Sequence, residues 1–242
     1  MARATWPCQH RPRVFPATLF DFNGVLVDDE LVHLAAFQDT LVPYGITLTD
    51  ADYWDKYLGF DDVGAFEAIF ADNGRELLPG EVKGLVEAKR PHYMRRAATD
   101  LKSFPGAADL VRRRRAAGPV GIVSGALEDE IELGLNHLGV RELVGRIISA
   151  ERTRASKPDP EGYELGIAWL HSQGVVGSHA LVFEDSPAGI EAAVACGLTV
   201  VAVAHSYEVS LLKSTGAALV LPTIADATDE VLAELYRFRF SK

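Results

Sequence analysis

Residues 18–30 read TLFDFNGVLVDDE. Leu19, Phe20 and Phe22 give this stretch the apolar, aromatic character of a buried strand, with one carboxylate, Asp21, set inside it. Asn23-Gly24 follows, then Val25 to Val27 and three acids, Asp28, Asp29 and Glu30. Taken alone, Asn-Gly between apolar runs predicts a β-hairpin. The rest of the chain predicts otherwise. Strand-like runs recur as PVGIVSGA (119–126), GRIISA (145–150), HALVFED (179–185), LTVVAVA (198–204) and AALVLPTI (217–224). Helical stretches over 106–117, 127–138, 160–173, 186–196 and 207–215 alternate with them. Apolar runs without a polar face, alternating with helices, predict an α/β fold: a doubly wound, Rossmann-like parallel sheet covered by helices on both sides.

Residues 31–103 break that rhythm. LVHLAAFQDTLVPYG, ADYWDKYLG, GAFEAIFADNG and PGEVKGLVEAKRPHYMRRAATD all carry helical periodicity, with no strand-like run among them. This segment lies where a single crossover helix would suffice, so it predicts an inserted α-helical cap domain. SFPGAADL (103–110) returns the chain to the sheet through Pro-Gly turn chemistry and a fresh helix. The predicted layout is an N-terminal extension over 1–16, loosely ordered; a core over 17–30 and 104–242; and a cap over 31–103.

The totals narrow the function. The 242 residues are 48% hydrophobic and 24% charged, ordinary for a globular protein, and the formal net charge is −10. That balance argues against nucleic acid as a partner but leaves room for a small phosphorylated ligand beside a metal ion. RRRR (112–115) is expected to be the solvated face of the helix 106–117, because no second basic cluster or interleaved aromatics accompany it. The two cysteines, Cys8 and Cys196, are read as unpaired thiols in a reducing compartment. No apolar run reaches membrane-spanning length, and MARATWPCQHRPRVFPA lacks the apolar stretch of a secretory signal. A cytoplasmic protein is therefore expected.

In an open parallel sheet, ligands bind at the carboxyl ends of the strands. Asp21, Ser124 and the pair Glu184-Asp185 fall at three such ends, and Lys157, in ASKPDPEGY, lies between the third and fourth runs. Acids, a hydroxyl and a lysine facing one crevice suit phosphoryl transfer. Asp21 can attack phosphorus. Asp21 and Asp185 can hold Mg²⁺, with Glu184 beside them and a backbone carbonyl after the nucleophile. Ser124 and backbone N–H groups near a helix start can hold phosphate oxygens, and Lys157 can offset their charge. Singly, each residue has a plainer use: Ser124 as a helix N-cap, Lys157 as a surface lysine, and Asp185 or Ser186 as a cap before Pro187. Their common placement at one sheet edge favours the shared site.

The chain resembles the haloacid-dehalogenase-like (HAD) hydrolase superfamily, in the branch of β-phosphoglucomutase and phosphoglycolate phosphatase. The resemblance lies in DFNGVLVD (21–28), IVSGA with Ser124, SKPDPEGY with Lys157, and FEDSPAGIEAA with Glu184 and Asp185. It implies a Mg²⁺-dependent phosphomonoester hydrolase with a helical cap. Asp21 would be the nucleophile. The backbone carbonyl of Asn23 and the carboxylate of Asp185 would bind the metal, with Glu184 assisting. Ser124, Gly125 and Lys157 would bind phosphate. A sugar-phosphate mutase and a phosphometabolite-binding protein without turnover are the alternatives. The cap stretch KYLGFDDVGAFEAIF (56–70) holds acids and no arginine, which weighs against a second phosphate and so against the mutase. His33, Lys56 and Tyr57 are candidates for substrate contact, His33 alternatively a surface or hinge residue.

One departure stands out. The family's phosphatases and mutases carry Asp where this chain has Asn23, and an amide neither protonates a leaving oxygen nor activates water. Slow or specialised chemistry on a good leaving group, a deliberate replacement that traps a complex, and Asn-Gly deamidation back to Asp would each account for it.

Overall fold

The computed structural model describes residues 14–240. Cys8 and most of the expected N-terminal extension lie outside them. Phe15, within that extension, is fully buried, its ring edge-on to Tyr236 and Phe240.

The chain enters through β1 (Ala17–Phe20) and turns into β2 (Val27–Asp28). Four helices follow: α1 (Glu30–Leu41), α2 (Asp50–Asp52, widening into a π-helical turn over Tyr53–Tyr57), α3 (Asp62–Asp72) and α4 (Pro79–Asp100). β3 (Lys102–Ser103) brings the chain back beside β2. Then come α5 (Ala107–Ala117), β4 (Val120–Val123), α6 (Glu128–His137), β5 (Arg146–Ile148), α7 (Glu161–Ser172), β6 (Ala180–Glu184) and α8 (Pro187–Ala195). β7 (Thr199–Val203), α9 (Val209–Leu212), β8 (Leu219–Leu221) and α10 (Asp229–Phe240) complete it.

Six strands form one parallel sheet in the order β5-β4-β1-β6-β7-β8. The expected strands and α/β class are therefore observed. The strands' side chains alternate between two apolar layers. Leu181, Phe183, Val201 and Val203 face one, with residues of α5, α6 and α10. Ala180, Val182, Val200 and Ala202 face the other, with residues of α7 and α8. The helices between β2 and β3 bury an apolar cluster of their own, built on Phe37, Leu41, Tyr53, Phe66 and Phe70.

Three local readings change. Asn23-Gly24 makes no hairpin, because β1 is already paired on both sides by β4 and β6. The insert is not free of strands: Val27 and Asp28 pair antiparallel with Ser103 and Lys102, a ribbon at the point where the chain leaves and rejoins the sheet. RRRR is not a wholly solvated face. Arg114 is buried, donating through Nε to Thr18 Oγ1 at 2.8 Å and through Nη2 to the Phe15 carbonyl. Burial pushes its guanidinium down to about 10. Arg114→Ala would leave both acceptors unpaired at roughly 1–3 kcal/mol each. Thermal unfolding should show a melting temperature lower by about 4–24 °C, at 2–4 °C per kcal/mol for a chain this long. Arg112→Ala, which loses only an exposed pair to Asp109, should shift it little.

Candidate active site

Asp21 is the first residue past β1, and its N–H is held by the Phe183 carbonyl at 2.9 Å. Because β1 lies between β4 and β6, the residues just past those strands come up on either side of it. Ser124 follows β4; Glu184 ends β6, and Asp185 is next. Lys157, in the loop before α7, reaches the same place. Its ammonium donates to Asp21 Oδ1 at 2.8 Å, Glu184 Oε1 at 2.6 Å and the Val123 carbonyl at 3.0 Å, which uses all three protons. Asp21, Asn23, Ser124, Gly125, Lys157 and Asp185 line one cavity, roofed by the insert.

Glu184 is fully buried and its oxygens are taken. Oε1 accepts from Lys157 and from Tyr163 Oη at 2.6 Å, and Oε2 faces the Asp185 N–H and the Ser186 hydroxyl. It braces Lys157. One oxygen each from Asp21, Glu184 and Asp185 lies within 4.8 Å of the others. Burial, opposed by Lys157 and reinforced by Glu184, pushes the Asp21 carboxyl up to about 7. Burial, then Asp21 and Glu184, drives Asp185 well above the ordinary carboxylate range. Buried acids sharing one ammonium are under-neutralised, and a hard divalent cation with oxygen ligands is what this donor set fits.

Ser124 does not cap α6. Its Oγ accepts from the Ala126 N–H at 3.1 Å and donates to Asn23 Oδ1 at 3.3 Å. The adjacent Gly125 N–H has no hydrogen-bond partner among the described residues, so it is open to a ligand oxygen. Ser186 does cap α8, accepting from the Gly189 N–H at 3.1 Å, with Pro187 in the first turn.

Asn23 belongs to a polar cluster that the sequence did not disclose. Its Nδ2 donates to Asp29 Oδ2 at 2.7 Å and lies 3.2 Å from His33 Nε2. Tyr93 Oη donates to the same Asp29 oxygen at 2.6 Å. Burial alone would raise Asp29, but His33, Tyr93 and Asn23 together hold it below the usual carboxylate range. His33 is thus a part of the site, not a surface residue. Lys56 is exposed and paired with Asp52, and Tyr57 donates to Asp72, so neither lines the cavity.

Three further residues come from the loop after β7, where no sequence motif pointed. Ser206 donates to Asp185 Oδ2. Tyr207 Oη reaches the Leu58 carbonyl of the insert at 3.1 Å. His205 Nε2 accepts the Ile224 N–H at 3.1 Å, which leaves Nδ1–H to donate to the Gly24 carbonyl at 2.8 Å. Gly24 has φ of +70°, and a Cβ there would come within 2.0 Å of Asp185 Oδ2. Gly24→Ala combines left-handed strain with a collision against that carboxylate. It should cost about 2 kcal/mol or more in denaturant unfolding and weaken metal-dependent stabilisation. An unchanged midpoint would contradict the close approach.

The sheet order, the aspartate past its central strand and the lysine and second acid beside it define a doubly wound α/β enzyme site suited to phosphoryl chemistry. The profile of the haloacid dehalogenase-like hydrolases matches residues 18–203. The chain belongs to that family. It is 29% identical over 206 residues to "Validoxylamine A 7'-phosphate phosphatase" of Streptomyces hygroscopicus subsp. limoneus, covering 82% of this chain and 90% of that one. It is also 29% identical over 227 residues to "Phosphorylated carbohydrates phosphatase" of Thermotoga maritima, covering 89% and 99%. A crystal structure of β-phosphoglucomutase from Clostridium difficile superposes with a TM-score of 0.80 at 22% identity, over 94% of this chain and 99% of that one, which shows the shared fold. Among the described residues no helix is long and apolar enough to cross a membrane.

Proposed function

We propose that this chain hydrolyses a small phosphomonoester through an aspartyl-phosphate on Asp21. The observation that carries the reading is the convergence of a buried Asp21, the Lys157 ammonium on its Oδ1, the Ser124 hydroxyl and the unbonded Gly125 N–H on one cavity. The phosphatase names of relatives along nearly the whole chain support it.

Asp21 attacks phosphorus, the bond to the leaving oxygen breaks, and the phosphoryl group passes to the carboxylate. Water then attacks phosphorus, freeing inorganic phosphate and restoring Asp21. Ser124 and the Gly125 N–H hold the equatorial oxygens as charge spreads over them, and the Lys157 ammonium, held on Asp21, offsets that charge. Mg²⁺ held by Asp21, Asp185 and the Asn23 carbonyl would neutralise charge between nucleophile and phosphate. Glu184 keeps Lys157 aimed. The insert closes over the cavity, excludes water and selects the leaving group. Asn23 can hydrogen-bond a leaving oxygen but cannot give it a proton, so substrates whose leaving group departs unassisted are turned over fastest.

The test is phosphate release from an activated aryl phosphate and a panel of sugar and glycolyl phosphates, with Mg²⁺ and with chelator. Release is expected only with metal, and fastest on the aryl ester. Silence on every member with Mg²⁺ would sink the reading.

A further inference from the structure

Resting on the phosphomonoester reading above, we propose that the leaving group carries a protonated amine, bound at the insert end of the cavity by the carboxylates of Asp62 and Glu130.

Charge is distributed unevenly along the cavity. Its phosphate end has Lys157. Its other end is lined by four acids, Glu30, Asp61, Asp62 and Glu130, and by no cationic side chain but His33 among the described residues. The partners of these acids can be traced. Glu30 accepts from Tyr53 Oη at 2.7 Å. Asp61 caps α3 through the Gly64 N–H at 2.8 Å and takes the Ser156 hydroxyl. Asp62 Oδ1 takes the Lys89 ammonium. Two oxygens remain: Asp62 Oδ2 and Glu130 Oε1 are buried with no hydrogen-bond partner. Glu130 as a residue is only 1% exposed.

Buried carboxylate oxygens in native proteins are nearly always paired, so these two, at the wall of the cavity, call for a donor that the chain itself does not supply. Lys89 does not serve both, for it makes no hydrogen bond to Glu130. It is fully buried, and its ammonium is fixed by Asp62 and by His33 Nδ1 at 2.8 Å. Glu130 feels Lys89, Asp62 and His33, so the two acids share one neighbourhood. Burial leaves its carboxyl at about 7, and an added cation would favour its ionised form.

The donor count separates amines from alcohols. A substrate hydroxyl brings one proton and no charge. An ammonium brings three protons and a charge, enough for both carboxylates. Phe37, Tyr53 and Phe60 also line the cavity, and the Phe37 ring already carries one ammonium, that of Lys89, 4.3 Å from its centroid. A second phosphate in that place would meet like charge and be rejected.

Matched pairs test this: glucosamine 6-phosphate against glucose 6-phosphate, and phosphoethanolamine against 2-hydroxyethyl phosphate. The amine member of at least one pair should show kcat/KM higher by about tenfold or more. That ratio should fall toward one in Glu130→Gln and in Asp62→Asn. Ratios within one variant cancel any general loss of activity. If one variant does not fold, the other decides. Ratios near one in both pairs, or ratios untouched by both variants, would overturn the proposal. If no phosphate is released even from the aryl ester, the hydrolase reading fails by itself. The same pairs then decide the amine site by calorimetric Kd, where equal affinities refute it.

Discussion

Asp21→Asn should abolish phosphate release, by on the order of 10⁴–10⁶-fold in kcat, without unfolding the protein. The amide keeps the shape of the carboxylate and an oxygen for Lys157, so that contact at 2.8 Å survives. What disappears is the nucleophile. Removing this charge also relieves Asp185, whose carboxyl is held up by burial and then by Asp21. The metal-free variant should therefore melt no lower than its parent, while metal-dependent stabilisation weakens. Acid-quenched samples should carry phosphate on the parent chain and none on the variant. Retained turnover with normal metal response would place the nucleophile elsewhere.

Asn23→Asp should raise kcat on alkyl phosphates by about 10²–10⁴-fold, or roughly 3–5 kcal/mol of barrier. On an aryl phosphate with a stable leaving group the gain should be small. The new carboxyl would stand where the amide now lies, 2.7 Å from Asp29 Oδ2. Two carboxylates that close cannot both ionise, so they would share a proton and titrate as a pair. The shared proton is available to a leaving oxygen below the upper apparent pKa and lost above it. The variant's rate should thus acquire an alkaline limb that the parent lacks. Adding Asp29→Asn removes the like charge and should move that limb to lower pH. Equal gains on aryl and alkyl esters, or none on either, would mean that protonation of the leaving group does not limit this chain.

The sheet was legible because its strands are apolar on both faces, a local property of six short runs. The positions of Asp21, Ser124 and Asp185 were legible because their placement follows from strand ends alone, and that of Lys157 because it lies in the connection from β5 to α7 at the same edge of the sheet. Arg114 was misread although a signal was present: Ala107, Leu110, Val111 and Arg114 fall on one helical stripe, all buried. A run of four arginines hid the one that shares that stripe. Glu184 was legible as a member of the acidic group, and one of its oxygens does lie within 4.8 Å of those of Asp21 and Asp185. Only packing reveals that Lys157, Tyr163 and Ser186 also hydrogen-bond it. Asp29 and His33 meet Asn23 through the turn after β1, and Lys89 and Tyr93 reach them from α4, more than fifty residues on. His205 binds Gly24 across 181 positions. Contacts of that range leave no periodic trace in a sequence.

The ribbon of β2 and β3 has an evolutionary consequence. Val27 pairs with Ser103 and Asp28 with Lys102, so the insert's two ends stand side by side. A segment tethered at adjacent points can be exchanged for another without redrawing the sheet. The phosphate chemistry is built on strand ends and the loop before α7, outside that segment, whereas Glu30, Asp61 and Asp62 lie within it and face Glu130 of α6. A lineage could therefore swap the module and acquire a new substrate while its catalytic machinery stays put. Grafting residues 29–101 onto a relative's sheet would be the laboratory version of that exchange.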